Sequence, residues 1–306
     1  MNMNKTIIVS AIATGLLLSG GQIQAKQMTT VGGANNVDLT VYESGNPEGQ
    51  AIVFIHGFTG NYLVWDSQYS GALAEDFRLI AVDLRGHGAS DKPLDPDQYI
   101  AAEIWAEDID AVIRAKELDA PVLVGLSMAG SLIVNYLDLH GEDDIGGLVF
   151  VSAPTSQETS DGESVFFDEV FSYVGDMTSQ DPRVNITATR GFVHLWTADD
   201  LEHEPFTTAF GSAMMVPPAV RGALLQRERR DAEDAFANLE APALVVHGTA
   251  DQIVKPEASE DTAEIIPNAE LHFYEGIGHL PQLEAPEEFN QDLEAFVRES
   301  VTEASQ

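Results

Sequence analysis

The sequence predicts an α/β protein with a mostly parallel central sheet flanked by helices. Short, continuous apolar runs rich in β-branched residues recur along the chain, and turn-forming residues bound them. Such runs are typical of strands that are buried on both faces. Segments with helical spacing of apolar residues lie between several of the runs. Alternation of buried strands with helices favours parallel pairing, because each crossover helix returns the chain to the same edge of the sheet.

The individual elements follow from these patterns. Five apolar runs are predicted as buried strands, and a sixth run before the C-terminal helix is strand-like: 52–55, 79–82, 122–124, 148–151, 244–246 and 271–274. Helical spacing precedes the third run, between Ile104 and Ala115, and follows it, between Leu132 and Leu137. These elements predict one α/β core, formed by residues 26–154 and 239–306.

The regular alternation stops after Pro154. Residues 155 to about 238 are rich in Phe, Trp, Met and charged residues and lack a clear strand pattern. We interpret this segment, 155–238, as a helical cap over the carboxyl edge of the sheet. Its aromatic residues either pack a small core of their own or line a pocket, and four residues of the segment are predicted to line the pocket: Phe166, Phe192, Trp196 and Met214.

The first 25 residues have the pattern of a secretory signal peptide. Lys5 precedes an apolar run from Ile7 to Leu18, and small residues follow as far as Ala25. The run is shorter than the ~20 residues that a membrane-spanning helix needs. We therefore expect cleavage near Ala25, export to the periplasm or the medium, and no stable membrane insertion. A buried N-terminal helix or strand is the alternative interpretation.

Composition limits the partners of this chain. It has 15 Lys+Arg against 50 Asp+Glu, a formal net charge of −35, and no cysteine. This charge disfavours nucleic acid and anionic membranes as partners, and the absence of cysteine excludes disulfides and thiolate metal sites. The acidic residues are spread along the chain, as in proteins that work in salt, and salt adaptation is a hypothesis. The oligomeric state cannot be inferred from these patterns.

The strongest chemical motif surrounds a serine between a predicted strand and a predicted helix. Gly125-Leu126-Ser127-Met128-Ala129-Gly130 follows the run 122–124 directly. Small residues on both sides of a serine allow a sharp turn that exposes its hydroxyl at the end of the strand. Ala129 stands where a second glycine is usual, and a serine that only caps the next helix is the alternative. The predicted strand directly before Ser127 favours a nucleophilic serine over a serine that only caps the helix.

A serine nucleophile needs a base, and usually a carboxylate that orients the base. His279 lies in a glycine-flanked loop after the strand-like run 271–274. Asp251 follows the run 244–246 and so lies at the carboxyl end of a predicted strand. Ligands of open α/β sheets bind at these strand ends. We predict Ser127 as nucleophile, His279 as general base and Asp251 as the orienting residue. His56 and His87 lie in glycine turns and are predicted to shape loops.

No cofactor or metal is predicted. The sequence contains no H-E-x-x-H segment, no pair of histidines at i and i+4, and no G-x-G-x-x-G after a strand. The expected partner is therefore a small-molecule substrate.

Together these motifs resemble the α/β-hydrolase superfamily over roughly residues 35–300. The matching segments are His56-Gly57-Phe58, residues 83–90, the turn around Ser127, residues 248–251 and Gly278-His279. The resemblance implies an α/β-hydrolase fold and an oxyanion hole formed by the backbone N–H groups of Phe58 and Met128. It is strongest to the branch that contains carboxylesterases, cofactor-free haloperoxidases, carbon–carbon bond hydrolases and lactonases.

These observations predict a serine hydrolase that cleaves an ester-like bond of a small, mostly apolar substrate through an acyl-enzyme. A lactonase or a carbon–carbon bond hydrolase with the same triad is an alternative. The latter requires a cation for the substrate carboxylate, which five arginines in or near the cap could supply: Arg190, Arg221, Arg227, Arg229 and Arg230. A non-catalytic ligand-binding protein of this fold is an alternative of another class.

Overall fold

The computed structural model describes residues 24–267 and 269–303, and it contains one eight-stranded sheet. The predicted signal peptide lies outside the described residues, apart from the first two residues of the first strand. The strands are β1 (Gln24–Gly32), β2 (Asp38–Gly45), β3 (Ala51–Ile55), β4 (Arg78–Asp83), β5 (Val122–Leu126), β6 (Gly147–Val151), β7 (Ala243–Gly248) and β8 (Glu270–Tyr274).

The strands lie in the order β1-β2-β4-β3-β5-β6-β7-β8. The six strands from β4 to β8 in this order pair in parallel, as the sequence predicts. β5 lies between β3 and β6, with Gly125 paired to Ile55 on one side and to Phe150 on the other. The carboxyl ends of the parallel strands therefore meet at one edge, and the loops that leave β3, β5, β7 and β8 lie close together.

The sequence analysis missed the two strands at the other end of the sheet. β1 and β2 pair antiparallel with each other, and β2 pairs antiparallel with β4. They form a hairpin edge in which polar residues such as Thr29 and Thr30 interrupt the apolar ones, so no continuous apolar run marks β1. The strand β1 begins within the predicted signal peptide. Cleavage after Ala25 would leave the pairing from Gln27 to Gly32 intact.

Helices cover both faces of the sheet. They are α1 (Asp66–Tyr69), α2 (Leu73–Asp76), α3 (Asp97–Ile100), α4 (Ala102–Ala115), α5 (Ala129–His140), α6 (Asp168–Val174), α7 (Pro182–His194), α8 (His203–Met214), α9 (Pro218–Leu224), α10 (Ala232–Phe236), α11 (Glu257–Ile265), α12 (Pro281–Glu284) and α13 (Pro286–Glu303). Short 3₁₀ segments occur at Ala34–Asn36, Tyr62–Trp65 and Asp176–Thr178. No helix in the described part of the chain is long and apolar enough to cross a membrane.

Alternate residues of each central strand pack into two separate apolar cores. Val53 and Leu123 belong to the core that contains α4 and α5. Phe54 and Val124, one residue further along each strand, belong to the core that contains α13. Because both faces are covered, the central strands consist of continuous apolar residues, which made them predictable from the sequence.

Helices α6 to α10 lie in the interval 155–238, for which the sequence predicts a cap, and we refer to this interval as the cap segment. Asp181 begins α7 by accepting a hydrogen bond from the backbone N–H of Arg183, with Pro182 at the first helical position. Arg221 on α9 is fully buried and donates to the carbonyl oxygens of Met177 and Ala213. Its guanidinium thereby joins α9 to the C-terminal end of α8 and to the segment before α7.

Candidate active site

Ser127 lies at a sharp turn between β5 and α5. Its backbone φ is +52°, a left-handed conformation that a non-glycine residue seldom adopts. The backbone N–H of Ser127 donates to the carbonyl of Val151 (2.9 Å), and its carbonyl accepts from Gly130 (3.0 Å). These bonds hold the strained residue in place, as is common at functional sites. The turn directs the polypeptide from the carboxyl end of the strand straight into the helix.

Close packing around this turn explains the small residues that flank the serine. A Cβ atom placed on Gly125 would lie 2.7 Å from Cδ1 of Ile133 and 3.2 Å from Cβ of Ala129. A Cβ atom on Gly57, in the loop after β3, would lie 3.0 Å from Cβ of Ser127. The loop after β3 therefore approaches the serine closely, and alanine at position 129 fits the available space.

Asp251 and His279 lie in the loops after β7 and β8, and they form a direct hydrogen bond. Nδ1 of His279 lies 2.7 Å from Oδ2 of Asp251. Both side chains are buried, with the carboxylate fully enclosed. Because Nδ1 carries the proton in this bond, Nε2 of His279 is free to accept a proton.

The carboxylate of Asp251 has other partners in addition to His279. Its Oδ1 accepts hydrogen bonds from the backbone N–H groups of Ile253 (2.7 Å) and Val254 (3.0 Å). Its Oδ2 also lies 3.1 Å from Nε2 of His247. Burial opposes the ionised carboxylate, but the charges and hydrogen bonds of His279 and His247 together hold the pKa of Asp251 well below its usual range. Asp251 is therefore a rigid, ionised acceptor.

Sequence analysis did not single out His247. It lies on β7, four residues before Asp251, and its Nδ1 lies 2.6 Å from Oγ of Ser259. A signal was present, because a fully buried polar residue in an apolar strand needs partners. The sequence alone did not show that the partner would be Asp251.

Ser127 and His279 line one small cavity of about 20 Å³. Trp196, one of the four predicted pocket residues, lines it too, as does Phe192. Within the described residues, neither Oγ of Ser127 nor Nε2 of His279 has a hydrogen-bond partner. Both reactive atoms are thus available to each other and to a substrate, a geometry in which catalytic hydrogen bonds often tighten only when substrate binds.

Phe58 lies in the loop after β3, and Met128 directly follows Ser127 in the turn before α5. The backbone N–H of neither residue donates a hydrogen bond to any residue in the described ranges, and both residues line the cavity next to Ser127. Unpaired N–H groups beside a serine are suited to binding an oxyanion.

Two buried histidines support the loop that contains Phe58. Nε2 of His87 accepts a hydrogen bond from the backbone N–H of Thr59 (3.3 Å), and its Nδ1 donates to the carbonyl of Arg85 (2.9 Å). His56 is bound in the same way, between the carbonyl of Gly57 (2.8 Å) and the N–H of Leu84 (3.0 Å). Each ring is held in its neutral form. This arrangement is that of loop-shaping residues.

A cavity of about 420 Å³ extends from Ser127 under the cap segment. Phe166 and Phe192 line it, together with Phe58 and Met128 of the core. The structure does not bring Met214 to either cavity that contains Ser127. The side chain of Met214 turns toward Arg221, with its Sδ 3.9 Å from Nη2 of that arginine. Helix α8 presents this residue to the interior of the cap segment, a direction that the sequence could not reveal.

Of the five arginines considered for anion binding, two line the large cavity. Arg227 and Arg229 belong to its wall, whereas Arg221 holds helices together and Arg230 pairs with Glu103 and Asp138. Arg190 is exposed and stacks over the ring of Phe210, 5.3 Å from its centroid.

One group of potential metal ligands occurs in the described part of the chain, away from this site. Side-chain atoms of Glu107, Asp110 and His140 lie within 4.8 Å of one another, on α4 and at the far end of α5. Asp110 accepts a hydrogen bond from Arg114 at 2.8 Å, and His140 lies 3.6 Å from Glu107. The packing of α4 against α5 brings these side chains together.

Comparisons with known proteins agree with this architecture. The family model for the alpha/beta hydrolase fold matches residues 50–286. A non-heme chloroperoxidase from Streptomyces lividans is 29% identical over 293 residues, which cover 89% of this chain and all of that protein. A bifunctional esterase/perhydrolase from Acinetobacter calcoaceticus is 28% identical and covers 86% of this chain and 97% of its own length. The crystal structure of an esterase from Rhodococcus sp. ECU1013 superposes with a TM-score of 0.79, at 32% identity, over 89% of this chain and 98% of that one.

Proposed function

Because this chain belongs to the alpha/beta hydrolase fold family, we propose that it is a serine hydrolase that cleaves carboxylic esters of small substrates through an acyl-enzyme. One observation carries the proposal. A serine strained at a strand end shares a cavity with a histidine whose Nδ1 lies 2.7 Å from a buried aspartate. A binding protein needs no base next to a serine, so this arrangement supports catalysis over ligand binding alone.

In the acylation step, Nε2 of His279 removes the proton from Oγ of Ser127 while Oγ attacks the ester carbonyl. The carbonyl oxygen becomes an oxyanion, which the N–H groups of Phe58 and Met128 stabilise; one such donor contributes about 3–4 kcal/mol. When the tetrahedral intermediate collapses, the bond to the alcohol oxygen breaks. His279 then gives its proton to the departing alcohol.

Deacylation repeats these steps with water as the nucleophile. His279 takes a proton from water, the hydroxide attacks the acyl carbon, and the proton returns to Oγ of Ser127 as the acid leaves. Asp251 keeps the proton of His279 on Nδ1 and stabilises the imidazolium that forms in each step. No cofactor takes part in this sequence.

The relatives support hydrolase activity in general. They include esterases, lipases and non-heme chloroperoxidases. The finer assignment to carboxylic esters rests on the cavity, which is lined largely by apolar side chains and includes Phe58 and Met128, whose N–H groups have no hydrogen-bond partner in the described ranges. A lactone presents the same ester group. A carbon–carbon bond hydrolase would use the same serine and histidine on a diketone.

Hydrolysis of 4-nitrophenyl acetate and butyrate tests the proposal. We expect turnover by the wild-type protein and a loss of at least about 10³-fold in Ser127→Ala. Ser172→Ala is the matched control, because Ser172 on α6 lies outside both cavities that contain Ser127. Turnover that survives in Ser127→Ala would exclude Ser127 as the nucleophile.

We further propose that residues 1–25 direct export and that the cap segment, 155–238, covers the substrate. Mass measurement of the protein recovered from a secreting host tests the first point. A mature N-terminus at Lys26 is the expected result. An unprocessed N-terminus would remove the support for export.

A further inference from the structure

The large cavity next to Ser127 contains an unusual charge for this chain. The chain has 50 Asp+Glu and only 15 Lys+Arg. Nevertheless, two arginines and no acidic residue line this cavity, within the residues that the structure describes. Charged residues taken at random from so acidic a chain would give the cavity a negative charge. The positive charge is therefore a property of this site.

Arg227 is the more enclosed of the two arginines, with 9% of its surface exposed. Its Nη1 donates to the carbonyl of Leu224 (3.0 Å) and its Nη2 donates to Oγ of Ser131 (3.0 Å). Its Nε is buried and has no hydrogen-bond partner. No carboxylate of the described residues forms an ion pair with it.

A buried guanidinium without a counter-charge is costly, because desolvation penalises the cation. Burial lowers the pKa of Arg227 well below its usual value, and the nearby Arg229 lowers it further. Burial also lowers the pKa of Arg229. An anion in the cavity would offset this cost for both groups.

The other deeply buried arginines of the described chain differ from Arg227. Arg85 forms two hydrogen bonds to the carboxylate of Asp108, at 2.6 and 2.7 Å, so its charge is neutralised. Arg221 also has a buried Nε without a partner, but it lines none of the described cavities and its other nitrogens join helices. Among these three described arginines, Arg227 alone combines burial, absence of a carboxylate and access to the space beside Ser127.

The position of His279 indicates which half of an ester enters this cavity. His279 must protonate the departing alcohol, and it lines the small cavity with Trp196. Of these two cavities, Met128 lines only the large one and His279 only the small one, whereas Ser127 and Phe58 line both. With the departing alcohol on the side of His279, the acyl group is directed towards the large cavity.

We propose that Arg227, assisted by Arg229, binds a carboxylate on the acyl group, so that the substrates are half-esters of short dicarboxylic acids. The inference rests on the proposed serine esterase function and names its substrate class. Ser131, which holds Arg227, lies in the first turn of α5, and this helix begins two residues after Ser127. Ser127, Ser131 and Arg227 line the same cavity, so one short acyl chain can contact both the serine and the arginine. Planar guanidinium groups suit carboxylates because they offer paired donors.

Two substrates of equal shape test the inference. Ethyl hydrogen glutarate carries a carboxylate, and ethyl glutaramate replaces it with a neutral amide. Acid release in a pH-stat gives kcat/KM for both. We expect the wild-type protein to prefer the carboxylate by at least about 10-fold, since hydrogen bonds to charged groups are stronger than those to neutral groups.

Arg227→Met should lower this preference by about 10-fold or more, chiefly by raising KM for the carboxylate substrate, because the contact is remote from the reacting carbon. Arg229→Gln should have a smaller effect in the same direction. Arg190→Met is the matched control: it removes one exposed positive charge outside the cavity and should leave both rates unchanged. If Arg227→Met does not fold, the wild-type preference and Arg229→Gln decide the question.

Equal or faster hydrolysis of the amide by the wild-type protein would overturn the inference, as would an unchanged preference in a folded Arg227→Met protein. Hydrolysis of 4-nitrophenyl acetate by the same preparation distinguishes a failure of the carboxylate site from a failure of the proposed esterase function. If that ester is cleaved and the preference is absent, only the carboxylate site is wrong. If no ester is cleaved, the proposed function fails and the inference fails with it.

Discussion

Oδ2 of Asp251 accepts a hydrogen bond from Nδ1 of His279 over 2.7 Å, although 28 residues separate them in the chain. The parallel sheet brings them together, because β7 and β8 are neighbours and both side chains follow the carboxyl end of their strand. The same carboxylate oxygen lies 3.1 Å from His247. The carboxylate that orients the proposed base, His279, therefore has partners on both of its oxygens.

Replacing Asp251 by Asn should lower kcat by about 10³–10⁴-fold. The amide can present its NH₂ group to Nδ1, which would move the imidazole proton to Nε2 and block removal of the serine proton. Steady-state kinetics with 4-nitrophenyl acetate measures the effect. Asp143→Asn, at an exposed position after α5, is the matched control and should retain wild-type rates. A kcat within about threefold of wild type in Asp251→Asn would contradict the assigned role.

His247 is expected to act as a positioning residue through Asp251. His247→Phe removes the Nε2–H group, which lies 3.1 Å from both the Asp251 carboxylate and the carbonyl oxygen of Val254. This change should lower kcat by about 10-fold while KM changes little, given that a hydrogen bond to a charged group contributes about 1.5–3 kcal/mol. Comparison with Ser259→Ala, which removes only the partner of Nδ1, separates positioning from simple loss of stability. A His247→Phe protein with a lower melting temperature but wild-type kcat would show that His247 is structural only.

Acid should destabilise the fold through His56 and His87. Burial is the main cause that lowers the pKa of both histidines below 6.5. The charges of His56, Lys92 and Arg221 lower the pKa of His87 further. The charge of Asp83 opposes the shift of His56. Well above pH 6.5 each ring is neutral in both the folded and the unfolded state, so its contribution to stability is complete. Below pH 6.5 the unfolded chain binds protons that the folded chain excludes, and the free energy of unfolding falls.

This loss amounts to about 1.4 kcal/mol per pH unit for each histidine. Urea unfolding of the wild-type protein and of His87→Gln between pH 7.5 and 5 measures it. The variant should have a shallower slope of unfolding free energy against pH below 6.5. Identical slopes would mean that His87 binds protons equally in the folded and the unfolded state, which would contradict a lowered pKa in the fold.

The net charge of −35 predicts that salt stabilises this protein. Repulsion among surface carboxylates opposes the compact state, and added ions screen it. The melting temperature should rise between low salt and the ionic strength of seawater, with most of the gain at the lower concentrations, where the screening length changes most. A melting temperature independent of NaCl would contradict the hypothesis of salt adaptation.

The central part of the fold was predictable because its strands are buried on both faces. Runs such as 79–82 and 122–124 consist of apolar residues alone, and this pattern is typical of strands in the middle of a parallel sheet. The edge hairpin was not predictable, because β1 mixes polar and apolar residues and overlaps a segment with the features of a signal peptide.

The positions of Ser127, Asp251 and His279 followed from local rules, since each lies just after a strand that the sequence marks clearly. The cavity walls did not follow from such rules. Whether Phe166 or Met214 faces the cavity depends on how the helices of the cap segment pack, and that packing depends on contacts such as those of Arg221 with the carbonyls of two other helical segments. For the same reason the sequence offered five arginines as possible cations, and only the structure placed two of them in the wall of the cavity that contains Ser127.

Labelling with diisopropyl fluorophosphate tests the central claim most directly. Intact mass spectrometry should show one adduct per chain, and peptide mapping should place it on Ser127, since a serine activated by a neighbouring histidine reacts covalently with such phosphorylating agents. The adduct should be absent in Ser127→Ala and strongly slowed in His279→Ala. An unlabelled wild-type protein, or an adduct on another residue, would contradict the claim that Ser127 is an activated nucleophile.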